Sequence, residues 1–129
     1  MVIGDTSAWV DYLRGRRTRA ADRLDRLLEE GLATTEVVLM ELLMGARDAP
    51  HERSLRGALN GCVFVPIESA DFESAAAVNR ACRRAGATPR SIADCLIAAV
   101  AMRIGASVLH NDRDFTMIAR HVGLSIDTP

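Results

Sequence analysis

The sequence predicts an α/β fold built on a parallel sheet of four to five strands. Short runs rich in Val and Ile alternate along the chain with longer segments of helical periodicity, as in strand–helix–strand units. With 49% hydrophobic residues among 129, the chain can bury a core, and we expect one domain over residues 1–129. The predicted strands cover residues 2–4, 32–34, 63–67, 107–110 and 124–126.

Four segments between these strands are predicted to be helical: residues 19–30, 36–44, 69–84 and 92–104. The first is amphipathic and is expected on the surface, whereas the second is apolar on nearly all sides and is expected to be buried on most of them. Ser69 is expected to cap the third helix, and Ser91 the fourth. Gly105 directly follows the fourth helix, which is a common way for a helix to end.

Composition excludes several classes of protein. The formal net charge is −1, and the longest apolar run, residues 95–102, falls far short of the roughly 18 residues of a membrane-spanning helix. The chain opens without the basic and apolar pattern of a signal peptide, so we expect a cytoplasmic protein. Cys62, Cys82 and Cys95 are odd in number and lack the spacing of metal ligands, which argues against a disulfide framework and a zinc site.

All sixteen basic residues are arginine. The absence of lysine excludes Schiff-base catalysis and the phosphate-binding loop that requires a lysine. No glycine pair has the spacing of a dinucleotide-binding turn either. A codon bias of the genome explains the missing lysines equally well, so they exclude mechanisms without selecting one.

Three acidic residues follow predicted strands. Asp5 comes directly after the first strand, and Asp112 and Asp114 come just after the strand at 107–110. Ligands of open parallel sheets bind at the carboxyl ends of strands, which makes all three candidate site residues. Structural alternatives remain open, because Asp5 suits a helix cap and Asn111-Asp112 is ordinary turn chemistry.

Two further carboxylates lie in or beside apolar helices. Glu41 is the one charge inside an apolar helix, and its cost in free energy requires either a bound cation or an arginine partner. Asp94 lies three residues after Ser91, which is also the spacing of a capping box. The apolar run 95–101 after Asp94 predicts that a core helix begins there, at the same sheet edge as Asp5.

Together these acidic residues predict a cation site. Carboxylates that converge on one edge of a sheet repel one another, and such a cluster is stable near neutral pH only when it is protonated or bound to cations. An all-oxygen set of ligands suits Mg²⁺ or Mn²⁺ rather than zinc.

The acidic residues occur in four short motifs whose order resembles that of PIN-domain proteins, and most closely that of the VapC toxins of bacterial toxin–antitoxin pairs. The resemblance covers essentially the whole chain. The motifs are Asp5-Thr6-Ser7, Glu41 in an apolar helix, Ala93-Asp94-Cys95-Leu96-Ile97-Ala98-Ala99, and Asn111-Asp112-Arg113-Asp114-Phe115.

The resemblance implies a three-layer α/β/α sandwich with an acidic pocket for one or two Mg²⁺ or Mn²⁺ ions. It implies an endoribonuclease that hydrolyses RNA phosphodiester bonds with a metal-activated water. Motif by motif, the catalytic metal ligands of the family fall on Asp5, Glu41, Asp94 and Asp112. Asp114 matches a further metal ligand, and Thr6 and Ser7 match hydroxyl residues that orient the first acid or a water.

The resemblance also implies partners: a cognate VapB-type antitoxin whose tail occupies the pocket or its approach, and a second copy of the chain in a homodimer. An RNA substrate needs positive charge. With four of the acids neutralised by metal, the other 13 face 16 arginines, which gives +3. The candidate phosphate contacts are Arg14, Arg16, Arg17 and Arg19.

Two other classes of function stay open on the residues alone. In a non-catalytic binding module, the acids would be helix caps and paired charges. A metal-dependent phosphatase or DNA nuclease would present a similar acidic pocket.

Overall fold

The computed structural model describes all 129 residues. The strands are β1 (Val2–Gly4), β2 (Ala33–Thr34), β3 (Val63–Phe64), β4 (Ser107–Leu109) and β5 (Ser125–Ile126). The helices are α1 (Thr6–Leu13), α2 (Arg19–Glu30), α3 (Glu36–Met44), α4 (Ala49–Leu59), α5 (Ser69–Arg84), α6 (Ile92–Ile104) and α7 (Arg113–His121). The predicted α/β class with a parallel sheet is confirmed, and the strands lie within the predicted ranges.

The sheet has the order β3-β2-β1-β4-β5, and every neighbouring pair is parallel. Strand β1 is therefore central, with Ile3 paired to Ala33 on one side and to Val108 on the other. The backbone amide of Asp5 continues this ladder by donating to the carbonyl of Leu109 at 3.0 Å. The carboxyl ends of β1 and β4 consequently lie side by side at one edge of the sheet.

Helix α6 forms the centre of the core, as its apolar sequence predicts. Its residues Ile97, Ala98 and Val100 are fully buried, and α5 packs along it. Trp9 and Phe115 are the largest fully buried side chains, and they attach α1 and α7 to the same hydrophobic cluster. The helices that carry the acidic residues are thus held firmly to the sheet.

Two local expectations are wrong. Ser69 does not cap α5, because Glu68 occupies that position and its backbone amide donates to Asp71 Oδ2 at 2.8 Å. Helix α3 is not buried on most sides, since Met40 is 52% and Met44 77% exposed. Its apolar side chains therefore lie on an outer surface as well as on the face against the core.

None of the seven helices combines the length and apolar character needed to cross a bilayer.

Gly105 and Gly57 differ in backbone conformation, so the same substitution by alanine should have opposite effects on stability at the two positions. Gly105 ends α6 at φ +69, a conformation that a Cβ disfavours, so Gly105→Ala should destabilise the protein by about 1 kcal/mol. Gly57 lies in α4 with open space around it, so Gly57→Ala should stabilise by up to about 1 kcal/mol. Urea unfolding measures the change in the free energy of unfolding for both variants. Equal changes would contradict the assignment of a left-handed backbone conformation to Gly105.

Candidate metal centre

Five carboxylates gather at the sheet edge where the parallel strands end. Asp5 follows β1 and caps α1, while Asp112 follows β4 and caps α7. Glu41 lies in α3, and Asp94 and Asp114 lie in the first turns of α6 and α7. The structure therefore brings together all the acidic residues that the sequence singled out, from five separate positions in the chain.

Asp94 is the least satisfied of these side chains. The residue is 6% exposed, and its Oδ2 atom is buried without a hydrogen-bond partner. Ser91 precedes α6 as expected, but its side chain makes no capping hydrogen bond. The capping-box alternative for Asp94 is therefore wrong. A buried carboxylate oxygen without a donor is costly, and a cation or a proton is the remaining way to satisfy it.

Burial and the negative charges around it together raise the pKa of Asp94 to about 8, and burial is the larger cause. Those charges belong, in order of effect, to Asp112, Asp5, Asp114 and Glu41. Without metal, the protein therefore keeps a proton on Asp94 at neutral pH. A divalent cation can take the place of that proton, because it neutralises the same charge.

Three of the carboxylates are close enough to share one ion. Asp94, Asp112 and Asp114 each offer an oxygen, and these three oxygens lie within 4.8 Å of one another. Carboxylate oxygens alone make up the set, which is the chemistry that Mg²⁺ and Mn²⁺ prefer. The residues present thus fit a hard divalent cation.

Asp5 combines the two roles between which its sequence position could not decide. It is 2% exposed, and its Oδ1 atom accepts hydrogen bonds from Ser7 Oγ at 2.8 Å and from the amide of Ala8 at 3.1 Å. Burial nevertheless outweighs these bonds and raises the pKa of Asp5 to about 6, with a further contribution from Asp112. Asp5 is a helix cap that also belongs to the acidic cluster.

Glu41 has no arginine partner. Its Oε1 atom accepts a hydrogen bond from Thr6 Oγ1 at 2.6 Å, and none of the eight ion pairs includes it. The arginine alternative for Glu41 is therefore wrong. Thr6 is the first residue of α1 and follows Asp5 directly, so this single bond ties helix α3 to the start of α1 beside Asp5.

Arg90 is the cation that contacts the cluster in the structure. Its guanidinium lies 3.5 Å from Asp112 Oδ1 and 3.3 Å from Asp114 Oδ1, and its backbone amide donates to Asp114 Oδ2 at 3.0 Å. Sequence reasoning missed Arg90, which lies 24 residues before Asp114. The position of Arg90 in the sequence, just before the helix that carries Asp94, was a signal that could have identified it.

A second network fixes the loop between β4 and α7. Ser7 Oγ, which donates to Asp5, also accepts from the amide of Asn111 at 2.7 Å, and Asn111 Nδ2 donates to Asp11 Oδ2 at 2.7 Å. Burial acts to raise the pKa of Asp11, but hydrogen bonds from Asn111, Arg16 and Thr18 outweigh it and hold the pKa below its usual value. Arg16 is thereby committed to Asp11 rather than free for phosphate.

His110 supports the same loop. Its Nδ1 atom accepts a hydrogen bond from the amide of Asp112 at 3.1 Å, and its ring packs on Phe115. Burial lowers the pKa of His110, so the ring is held in its neutral form near pH 7. This geometry makes His110 a positioning residue next to the carboxylates.

The pH dependence of stability tests the account of Asp94. The pKa of Asp94 lies above its value in the unfolded chain, so in EDTA this side chain should lower the free energy of unfolding as the pH rises from about 4 to about 8, and the fall should level off above about pH 8. Asp94→Asn should flatten this fall and raise the melting temperature at the upper pH by roughly 3–6 °C for about 1 kcal/mol gained.

Asp25→Asn on the exposed face of α2 is the matched control, and it should leave the pH profile of the parent protein unchanged. A lower melting temperature for Asp94→Asn in EDTA would mean that the carboxylate stabilises the fold, which contradicts this account.

Comparisons with known proteins identify the family and agree with the fold. A family model described as PIN domain matches residues 2–121. The chain is 46% identical over 128 residues, and over 96% of either chain, to VapC ribonuclease Mb1587 of Mycobacterium bovis and to ribonuclease VapC11 of Mycobacterium tuberculosis.

Solved structures show the same fold at low sequence identity. The structure of VapBC2 from Rickettsia felis, bound to a DNA fragment from its promoter, matches with a TM-score of 0.76 at 16% identity over 98% of both chains. VapC20 of Mycobacterium tuberculosis matches with a TM-score of 0.67 at 19% identity over 97% of this chain and 99% of that one. With its length matched to the PIN model and to curated ribonucleases, the chain belongs to the PIN-domain family and, within it, to the VapC ribonucleases.

Proposed function

We propose that the protein is the toxin of a type II toxin–antitoxin pair and acts, through residues 1–129 as one PIN domain, as a Mg²⁺-dependent endoribonuclease. One observation carries the proposal: Asp94 Oδ2 is buried without a partner in the field of four other carboxylates. An oxygen in that position needs a proton or a cation. The 46%-identical relatives are named as ribonucleases, which supports RNA as the substrate.

The proposed ligands are the five clustered carboxylates. Asp94, Asp112 and Asp114 would hold the ion directly, and Asp5 and Glu41 would complete its surroundings or hold a second ion. When bound there, Mg²⁺ or Mn²⁺ supplies a water of lowered pKa as the nucleophile and stabilises the charge that develops on the phosphate.

The remaining residues of the site orient these ligands. Ser7 and the amide of Ala8 hold Oδ1 of Asp5, and Thr6 holds Glu41, so one turn of α1 sets the positions of both acids. Neutral hydroxyl and amide donors can do this without reducing the negative charge that attracts a cation. Asp94 is left without a donor and releases its proton when a cation binds.

We propose that the protein acts in the cytoplasm with two protein partners. A VapB-type antitoxin would cover the active site, and exposed Leu13, Met40 and Met44 offer it apolar surface on α1 and α3. VapBC assemblies among the structural neighbours support such a partner. A homodimer would form at the α5–α6 face, where Phe72 and Ile92 are exposed beside an apolar cavity of about 470 Å³.

RNA cleavage by the purified protein tests the proposal. Asp94→Asn and Asp5→Asn should each reduce Mg²⁺-dependent cleavage by more than roughly 100-fold. Loss of a residue that only hydrogen-bonds to a metal ligand typically costs roughly 10–100-fold, and loss of a ligand itself should cost more. Asn preserves the cap on α1, so loss of activity in Asp5→Asn reports the charge rather than the fold. EDTA should abolish activity, and Mg²⁺ or Mn²⁺ should restore it.

Asp25→Asn serves as the control and should cleave RNA like the parent protein. Unchanged metal-dependent cleavage in Asp94→Asn or Asp5→Asn would disprove the site. DNA and a phosphate monoester are run in parallel. Cleavage of either one without cleavage of RNA would replace the proposed function by a DNA nuclease or a phosphatase.

A further inference from the structure

One arginine-lined cavity adjoins the acidic cluster at Glu41. It has a volume of about 220 Å³, and Glu41 shares its wall with Arg14, Arg47 and His51. Arg14 is the residue that ends α1. The segment that carries Arg47 is held in place, because its amide donates to His51 Nδ1 at 3.1 Å just before α4. The two arginines therefore stand on ordered backbone at the edge of the site.

A second arginine-lined cavity adjoins the cluster at Asp114. It has a volume of about 370 Å³ and includes Arg90 and Arg113. Arg90 is engaged with Asp112 and Asp114, as described above, whereas Arg113 enters no ion pair. Arg113 is the first residue of α7 and lies between the two carboxylates in sequence.

The order of the strands puts these cavities on opposite sides of Asp5. Glu41 lies on α3, which follows β2, and Asp114 lies on α7, which follows β4. In the sheet, β2 and β4 are the two neighbours of β1, the strand that Asp5 directly follows. The acidic cluster thus has one arginine-lined cavity on each flank.

The flanking arginines are available for a ligand although carboxylates stand beside them. Arg14 and Arg47 share a cavity with Glu41, yet none of the ion pairs includes either arginine. All three arginines, Arg14, Arg47 and Arg113, are exposed. Cations that line a site without neutralising its acids remain free to bind an anion.

A polyanionic substrate needs such cations here. Five carboxylates repel the phosphates of RNA, and metal at the centre offsets that repulsion only for the phosphate that reacts. The neighbouring phosphates of the strand need separate positive charge. Asp5 and Asp94 are buried, so the backbone must bend inward to reach them, which a single strand does more readily than a stacked duplex.

We propose that the two cavities bind the phosphates of a single-stranded RNA on opposite sides of the scissile bond, with Arg14 and Arg47 on one flank and Arg113 on the other. This inference rests on the proposed ribonuclease function and adds the path of the substrate across the site. The cavity of about 470 Å³ between α5 and α6 is lined by none of the five carboxylates and is no part of this path.

Binding of RNA by substituted proteins tests the path. The measurement uses a short labelled single-stranded RNA, Mg²⁺ and a series of salt concentrations, with Asp94→Asn present in every protein to keep the RNA intact. Arg14→Ala with Arg47→Ala should weaken binding about tenfold at low salt, and each lost phosphate contact should reduce the log–log salt slope by about 0.7. Arg113→Ala should show the smaller effect of one contact.

Arg26→Ala with Arg120→Ala is the matched control, because it removes the same charge from two exposed helical residues that enter no ion pair. The control should leave the affinity and the salt slope nearly unchanged. Equal losses in the control pair and in the Arg14 and Arg47 pair would overturn the proposal, because they would show that diffuse charge attracts RNA.

The two flanks can be separated with chemically altered RNA. Neutral methylphosphonates on one side of the cleavage site should weaken binding by the parent and have little further effect on the variant that lacks the matching arginines. The Arg14 and Arg47 pair should respond to one side of the RNA and Arg113 to the other. Responses of both variants to the same side would overturn the assignment.

Activity distinguishes failure of this inference from failure of the proposed function. In proteins that retain Asp94, the arginine variants should raise KM for RNA much more than they change kcat. If the parent cleaves RNA and the variants bind it like the control, the inference is wrong and the function stands. If the parent leaves RNA intact while the variants still lose affinity, the function is wrong and the path stands.

Discussion

Mutual repulsion among carboxylates at one edge of the sheet is the constraint around which the rest of the structure is arranged. Parallel pairing of β1 with β4 puts Asp5 beside the loop that carries Asp112, and the core helix α6 begins with Asp94 at the same edge. Burial removes the water that would otherwise moderate the repulsion. The fold therefore holds a site that is costly until a proton or a cation occupies it.

The hydrogen bonds that hold the acidic side chains in place come mainly from neutral groups, so they leave the negative charge of the site largely intact. Neutral donors from Ser7 and Thr6 fix two acids, and Asn111 joins their helix to the opposite loop through Ser7 and Asp11. A site on rigid elements keeps its ligands near the geometry that chemistry requires. Arg90 is the one arginine that forms ion pairs with the clustered carboxylates, and Arg14, Arg47 and Arg113 line the cavities on either side.

The sequence was sufficient for what depends on local pattern. Runs such as Ser107–Leu109 and the apolar stretch after Asp94 predicted strands and a core helix correctly, because burial on all sides leaves a continuous apolar signal. The exposure of Met40 could not be predicted, because α3 is apolar on nearly all sides and its sequence does not show which side faces the core. Arg90 and Asp11 were missed because their partners lie 24 and 100 residues away.

Proton release on metal binding tests the central claim most directly. Calorimetric titration with Mn²⁺ at pH 7, in two buffers of different ionisation enthalpy, gives the number of protons released per ion bound. Since burial and neighbouring charges raise the pKa of Asp94 to about 8, the account predicts release of close to one proton at pH 7, declining towards zero by about pH 9 and much reduced in Asp94→Asn. Tight binding of Mn²⁺ without proton release at pH 7 would contradict it.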